Sequence, residues 1–110
     1  MSQHFVRLHC ARISAEVIVQ LGWDRPLSEF YMVVFAAKEK DGFNDDHPVY
    51  SNLNDDDSIG KELDYYKRVA RQIGCEIPDV MWRAAYQDRE FNVVNKIVHY
   101  SKDGNVLEAC

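Results

Sequence analysis

A chain of 110 residues, 46% apolar and 12% aromatic, is the size of one domain spanning residues 1–110 and has enough apolar matter for one core. Its 28% of charged residues is ordinary for a globular chain and excludes wholesale disorder. The net charge of −5 argues against direct binding to a nucleic-acid backbone, and the longest apolar run, residues 30–37, is too short to cross a bilayer.

In chain order, residues 4–10 read as a first strand, with Val6, Leu8 and Cys10 on one face and Arg7 and His9 on the other. Residues 12–21 alternate more cleanly still. Ile13, Ala15, Val17, Val19 and Leu21 point one way, as in a half-buried antiparallel strand. Gly22-Trp23-Asp24-Arg25-Pro26 predicts a turn. Residues 28–37, rich in aromatic and β-branched side chains, predict a strand buried on both faces and central in the sheet.

Residues 38–48 read as a polar loop, and Val49-Tyr50-Ser51 as a short edge strand. Residues 52–57 carry the Asn and Asp of turns. A helix is expected from about Asp57 or Ser58, capped by Asp57, because Ile59, Leu63, Tyr66, Ala70 and Ile73 step by four and three. Gly74 is its natural stop. Pro78 opens a second helix running to about Asp88, with Val80, Met81, Ala84 and Ala85 inward and Trp82 outward. Residues 93–100 and 105–109 predict a hairpin around Lys102-Asp103-Gly104. The expected class is α+β: an antiparallel sheet of about five or six strands with two helices packed on one face.

Charge is distributed unevenly. Nine of the 18 acidic residues lie between Glu39 and Asp64, opposed only by Lys40 and Lys61, which leaves that stretch at −7 and the rest of the chain at +2. Such like charge works against compactness and points to a partner. A calcium loop is a poor fit. Started at Asp55, an EF-hand would need ligands where Ile59 and Tyr66 stand; started at Asn52, it would need glycine where Asp57 stands. A looser cation site from Asp45, Asp46 and His47 is the remaining metal reading.

Other chemistry is sparse. His4, His9 and Cys10 split between strand faces, so they read as exposed histidines and a small buried cysteine and not as zinc ligands. Three cysteines without C-x-x-C spacing make no disulfide framework, and the start of the chain has no secretory pattern, so a cytoplasmic location is expected. Cys75, after Gly74, is expected to be partly exposed but poorly placed for a thiolate. Asp88-Arg89-Glu90 reads as a surface ion-pair cluster. No phosphate-binding loop, dinucleotide fingerprint or nucleophile elbow occurs. Trp23, Tyr50, Tyr65 and Trp82 are large amphipathic side chains of the kind that anchor interfaces.

Gly22-Trp23-Asp24-Arg25-Pro26-Leu27, Val49-Tyr50-Ser51-Asn52-Leu53, Leu63-Asp64-Tyr65-Tyr66 and Ile77-Pro78 resemble a group of small bacterial proteins carried on plasmids, phages and integrative elements. The resemblance covers roughly residues 21–82. It implies a binding inhibitor, of anti-CRISPR or toxin-immunity type, and no catalytic residue. The expectation is therefore a non-enzymatic acidic protein without cofactor. It would engage a basic surface of a nuclease or nucleic-acid-binding protein through Asp45, Asp46, Asp55, Asp56 and Asp57, with Tyr50 and Trp23 as anchors. The alternatives are a small metal-dependent enzyme using the same carboxylates and a structural or adaptor subunit that self-associates.

Overall fold

Alternating apolar side chains along the first third of the chain build a three-stranded antiparallel meander: β1 (Ser2–Cys10), β2 (Ala15–Asp24) and β3 (Glu29–Ala37). The structure, a computed structural model, describes residues 1–37, the backbone of 43–44, and 48–109. Two short strands, β4 (Phe43–Asn44) and β5 (Tyr50–Ser51), both pair with the outer edge of β3. Two 3-10 turns (Asn52–Asn54 and Asp56–Ser58) lead to α1 (Leu63–Ile73) and α2 (Asp79–Glu90), and the chain ends in the hairpin β6 (Lys96–Tyr100) and β7 (Val106–Ala109). The sheet order is β4-β3-β2-β1-β6-β7, with β5 beside β3.

The fold is α+β: a mostly antiparallel sheet with two helices on one face. The expectation of a wholly antiparallel sheet is corrected at one place, because β6 runs parallel to β1. Parallel neighbours need a long crossover. The chain supplies it by leaving β3, crossing the sheet as α1 and α2, and returning beside β1. That crossover makes β1 and β2 the central strands and leaves β3 near one edge, contrary to the sequence expectation.

Register places one residue set on the inner face: His4 opposite Leu21, Val6 opposite Val19, Leu8 opposite Val17, then Leu21 opposite Met32 and Trp23 opposite Phe30. The helices cover this face with Leu63, Tyr66, Ala70 and Ile73 from α1 and Met81, Trp82 and Ala85 from α2. Gly74 ends α1 in the left-handed region (φ 77°), and its backbone lies so close to Ala11 that a Cβ there would sit 2.6 Å from the Ala11 Cβ. Ala11 and Arg12 N–H groups bond to Gly74 and Ile73 carbonyls, tying the helix end to the end of β1.

Several boundaries differ from the sequence expectation, each for a local reason. Residues 11–14 form a turn with Ser14 at φ 51°, which leaves Ile13 exposed and starts β2 at Ala15. β2 then runs through Gly22 and Trp23, because Trp23 pairs with Phe30 and continues the inward alternation; the turn falls after Asp24. The first helix starts at Leu63 and not at Asp57, since Gly60 at φ 72° interrupts any helix from the preceding turns and Ile59 is left exposed. Trp82 faces inward, while Val80 and Ala84 are half-buried.

Candidate functional site

The segment between β5 and α1 is built around one carboxylate. Asp55 Oδ2 accepts the hydroxyls of Tyr50 (2.7 Å) and Tyr65 (2.6 Å), and Oδ1 accepts the Asp57 N–H. These bonds, from Tyr65 and Tyr50 above all, hold the Asp55 carboxyl below its ordinary range. The same contact with Asp55 pushes the Tyr65 hydroxyl up to about 12, and burial followed by Asp55 raises Tyr50. Ser58 is buried and donates to the Asn52 and Asp55 carbonyls, closing the second turn on the first. A run of like charge is thereby given a fixed shape.

That shape presents Asp56 and Asp57 to solvent, flanked along the chain by two apolar side chains, Leu53 at 83% and Ile59 at 73% exposure. The ridge continues through Glu62 and Asp64 into an open groove of about 680 Å³ between α1 and α2. Lys67 and Arg83 line it as well, together with Trp82 and Tyr86. Lys67 lies over the Trp82 ring at 6.0 Å, and Arg89 pairs with Glu62 while lying over the Tyr86 ring at 5.0 Å. Acidic and basic side chains therefore both line the groove, whereas the ridge is acidic.

A second polar cluster lies inside the molecule. His4 Nε2 is 2.6 Å from Asp88 Oδ2, and Nδ1 is 2.9 Å from the Tyr100 hydroxyl. The Lys96 ammonium reaches Asp88 Oδ1 at 3.3 Å, and Ser2 adds a hydroxyl bond to the same carboxylate. Burial opposes ionisation of Asp88, yet the hydrogen bonds of His4 and Ser2 with the charge of Lys96 hold its carboxyl below the ordinary range. An ionised carboxylate only accepts, so Nε2 carries a proton; in the neutral ring Nδ1 accepts from Tyr100. The group has the members of an acid–base relay, but His4 and Asp88 are 0% and 1% exposed, so no substrate reaches them. Its work is to fasten β1, α2 and β6 together.

These positions correct several expectations. His4 is not an exposed strand histidine, and Asp88 is not part of a surface cluster; only Arg89 and Glu90 of that triplet form a surface pair. Trp23 lies in β2 at 7% exposure, edge-on to Phe30 at 5.2 Å, with its indole N–H donated to Asn92 Oδ1. It is a core residue and not a turn anchor. Tyr50 is half-buried with its hydroxyl committed to Asp55, and Asp55, not Asp57, caps the turn Asp56–Ser58. Asp55, Asp56 and Asp57 share one ridge with Tyr50 beneath it, while Asp45, Asp46 and His47 lie outside the described residues. Cys75 is buried against Cys10 and is not partly exposed.

Sequence reasoning missed Leu53 and Ile59, the first read as turn and the second as helix core. The signal available for Leu53 was an isolated apolar residue inside turn chemistry. Among the described residues no three His, Cys, Asp or Glu side chains converge as for a metal ion, and no helix is long and apolar enough to cross a membrane. No family model, no curated protein and no solved structure matches this chain.

Proposed function

We propose that this is a non-enzymatic binding protein whose acidic ridge, residues 53–64, docks on a basic surface of a partner protein, as an inhibitor of a nuclease or of another nucleic-acid-binding protein would. One observation carries the reading: two large apolar side chains, Leu53 and Ile59, stand in solvent on a segment that Asp55 and two tyrosines hold in shape. Exposed apolar side chains cost solubility, and a pre-shaped loop spends no ordering entropy on binding. Flanking carboxylates raise the association rate towards a basic face, and the apolar pair supplies the contact that lasts.

The test separates these roles. Immobilised protein should retain a basic partner from a bacterial lysate at low salt and release it at high salt. Asp56→Asn with Asp57→Asn should slow association, and Leu53→Ser with Ile59→Ser should speed dissociation, all without loss of fold because none of the four side chains is buried. Equal retention by wild type and both double variants would overturn the assignment of the ridge.

A further inference from the structure

The end of β1 and the linker between α1 and α2 meet at Cys10 and Cys75, which oppose each other across an isolated antiparallel bridge. The adjoining ladder bond runs from Ala11 N–H to Gly74 O, which makes the cysteines a non-hydrogen-bonded pair. In such pairs the Cα atoms lie about 4.5 Å apart and the side chains approach most closely. That separation is inside the window of about 4.4–6.8 Å that a disulfide accepts. Both side chains point into the core, at 0% and 5% exposure, and both are thiols in this structure. The Cys10 thiol donates to the Ile73 carbonyl at 3.0 Å and lies within hydrogen-bonding reach of the Cys75 thiol.

We propose that Cys10 and Cys75 are a paired redox site, closing to a disulfide that staples the central strand of the sheet to the helical layer. With a low-molecular-weight disulfide such as oxidised glutathione the reaction balances in two exchanges. One cysteine thiolate attacks the glutathione disulfide, forming a mixed disulfide and expelling one glutathione thiolate. The second cysteine thiolate attacks the protein sulfur of that mixed disulfide and expels the other glutathione. Two protein thiols are oxidised, one glutathione disulfide is reduced to two thiols, and the two protons pass to the departing glutathiones.

Burial sets the kinetics. Desolvation, followed by the adjacent Cys10 thiol, pushes Cys75 up to about 12, so the thiolate is scarce at neutral pH and the reagent has no approach in the closed fold. Closure therefore accompanies folding or transient opening of this corner. Once made, the bond encloses residues 10–75 and removes much of the freedom of the unfolded chain.

The experiment uses the full chain with Cys110→Ser, unfolded and refolded either in a glutathione buffer rich in the disulfide form or in dithiothreitol, then alkylated under denaturing conditions. The expected product of oxidation takes no alkyl group, is lighter than the reduced chain by two hydrogens, and yields a linked peptide pair containing Cys10 and Cys75. Its Tm should exceed that of the reduced protein by roughly 10 °C, a gain that dithiothreitol abolishes. Cys75→Ser in the same background should show no redox-dependent Tm. Two alkylatable cysteines after oxidation, stable glutathione adducts in place of the internal bond, or a crosslinked chain that melts below the reduced one would each overturn the proposal.

Discussion

His4 Nε2 lies 2.6 Å from Asp88 Oδ2, and neither side chain reaches solvent. The pair joins the central strand β1 to the last turn of α2, and through Lys96 and Tyr100 it holds β6 in parallel register beside β1. Removing one partner of a buried pair leaves the other charge or donor without compensation, which costs more than the intact pair contributes. Asp88→Ala should therefore lower stability by about 3–5 kcal/mol in urea denaturation. Asp88→Asn keeps an acceptor oxygen and should lose less. Equal stability of wild type and Asp88→Ala would mean that the network does not hold the crossover.

Asp55 has the opposite setting, a surface carboxylate whose hydrogen bonds shape a turn. Tyr65→Phe removes one of its two hydroxyl donors and leaves the ring in place. The expected effect is local: faster amide exchange over residues 52–58 and a smaller change in global Tm than Asp88→Ala produces. If the ridge matters for binding through its fixed shape, Tyr65→Phe should also weaken partner retention although it removes no charge and no apolar surface. Unchanged exchange in this segment would show that the tyrosine bonds do not order it.

How far these features could be read from the sequence depends on whether one element or two decide them. The α1 stripe of Leu63, Tyr66, Ala70 and Ile73 and the Gly74 stop follow from helical spacing and one left-handed residue; they stand, while Ile59, read as the first member of that stripe, falls outside the helix. The inner alternation of β2 was legible, but its limits were not, because pairing with β3 carries the strand through Gly22 and Trp23. The parallel β1–β6 contact has no local signature at all. The His4–Asp88 pair left half a trace: His4 shares the parity of Val6 and Leu8, and Asp88 follows Met81 and Ala85 on one helix face. A polar residue on each of two apolar faces was the clue. The ridge was legible as charge and illegible as shape, since Asp55 is chosen over its neighbours only by where Tyr50 and Tyr65 fall in three dimensions.

Gly22 illustrates a constraint visible only after the strands are paired. A Cβ there would sit 2.1 Å from the Ser2 carbonyl oxygen, a backbone atom in a central strand that cannot step aside. The Tyr31 hydroxyl donates to that same carbonyl at 2.6 Å, and the Trp23 N–H donates to Ser2 Oγ at 2.9 Å, so displacement of Ser2 would disturb both bonds. Gly22→Ala should cost about 3 kcal/mol or more, at the upper end of overpacking penalties. The check is its urea midpoint relative to wild type, with Gly60→Ala as comparison: there φ is 72° but nothing lies within 4 Å of the added Cβ, so only backbone strain applies. A Gly22→Ala variant as stable as Gly60→Ala would show that the sheet yields at Ser2.

The pH response should have two limbs with different owners. Asp55 and Asp88 are held below the ordinary carboxyl range in the folded chain, so their stabilisation is full above the unfolded value of about 4 and is lost as pH falls through their native values. The alkaline limb belongs to groups whose neutral form the fold prefers. Burial raises Tyr31 to about 12, the contact with Asp55 raises Tyr65 to about 12, and burial beside Cys10 raises Cys75 to about 12. Each contributes fully below its unfolded value, 10.0 for tyrosine and 9.0 for cysteine, and loses that contribution as pH climbs towards 12. Tm followed by circular dichroism should decline from about pH 9 upward, with tyrosinate absorbance delayed relative to free tyrosine until the chain unfolds. The disulfide form should lose the Cys75 part of this decline, because it has no thiol to ionise, while keeping the tyrosine part. Tyrosinate absorbance that titrates completely near pH 10 while the chain remains folded would contradict the hydroxyl bonds to Asp55 and Ser2.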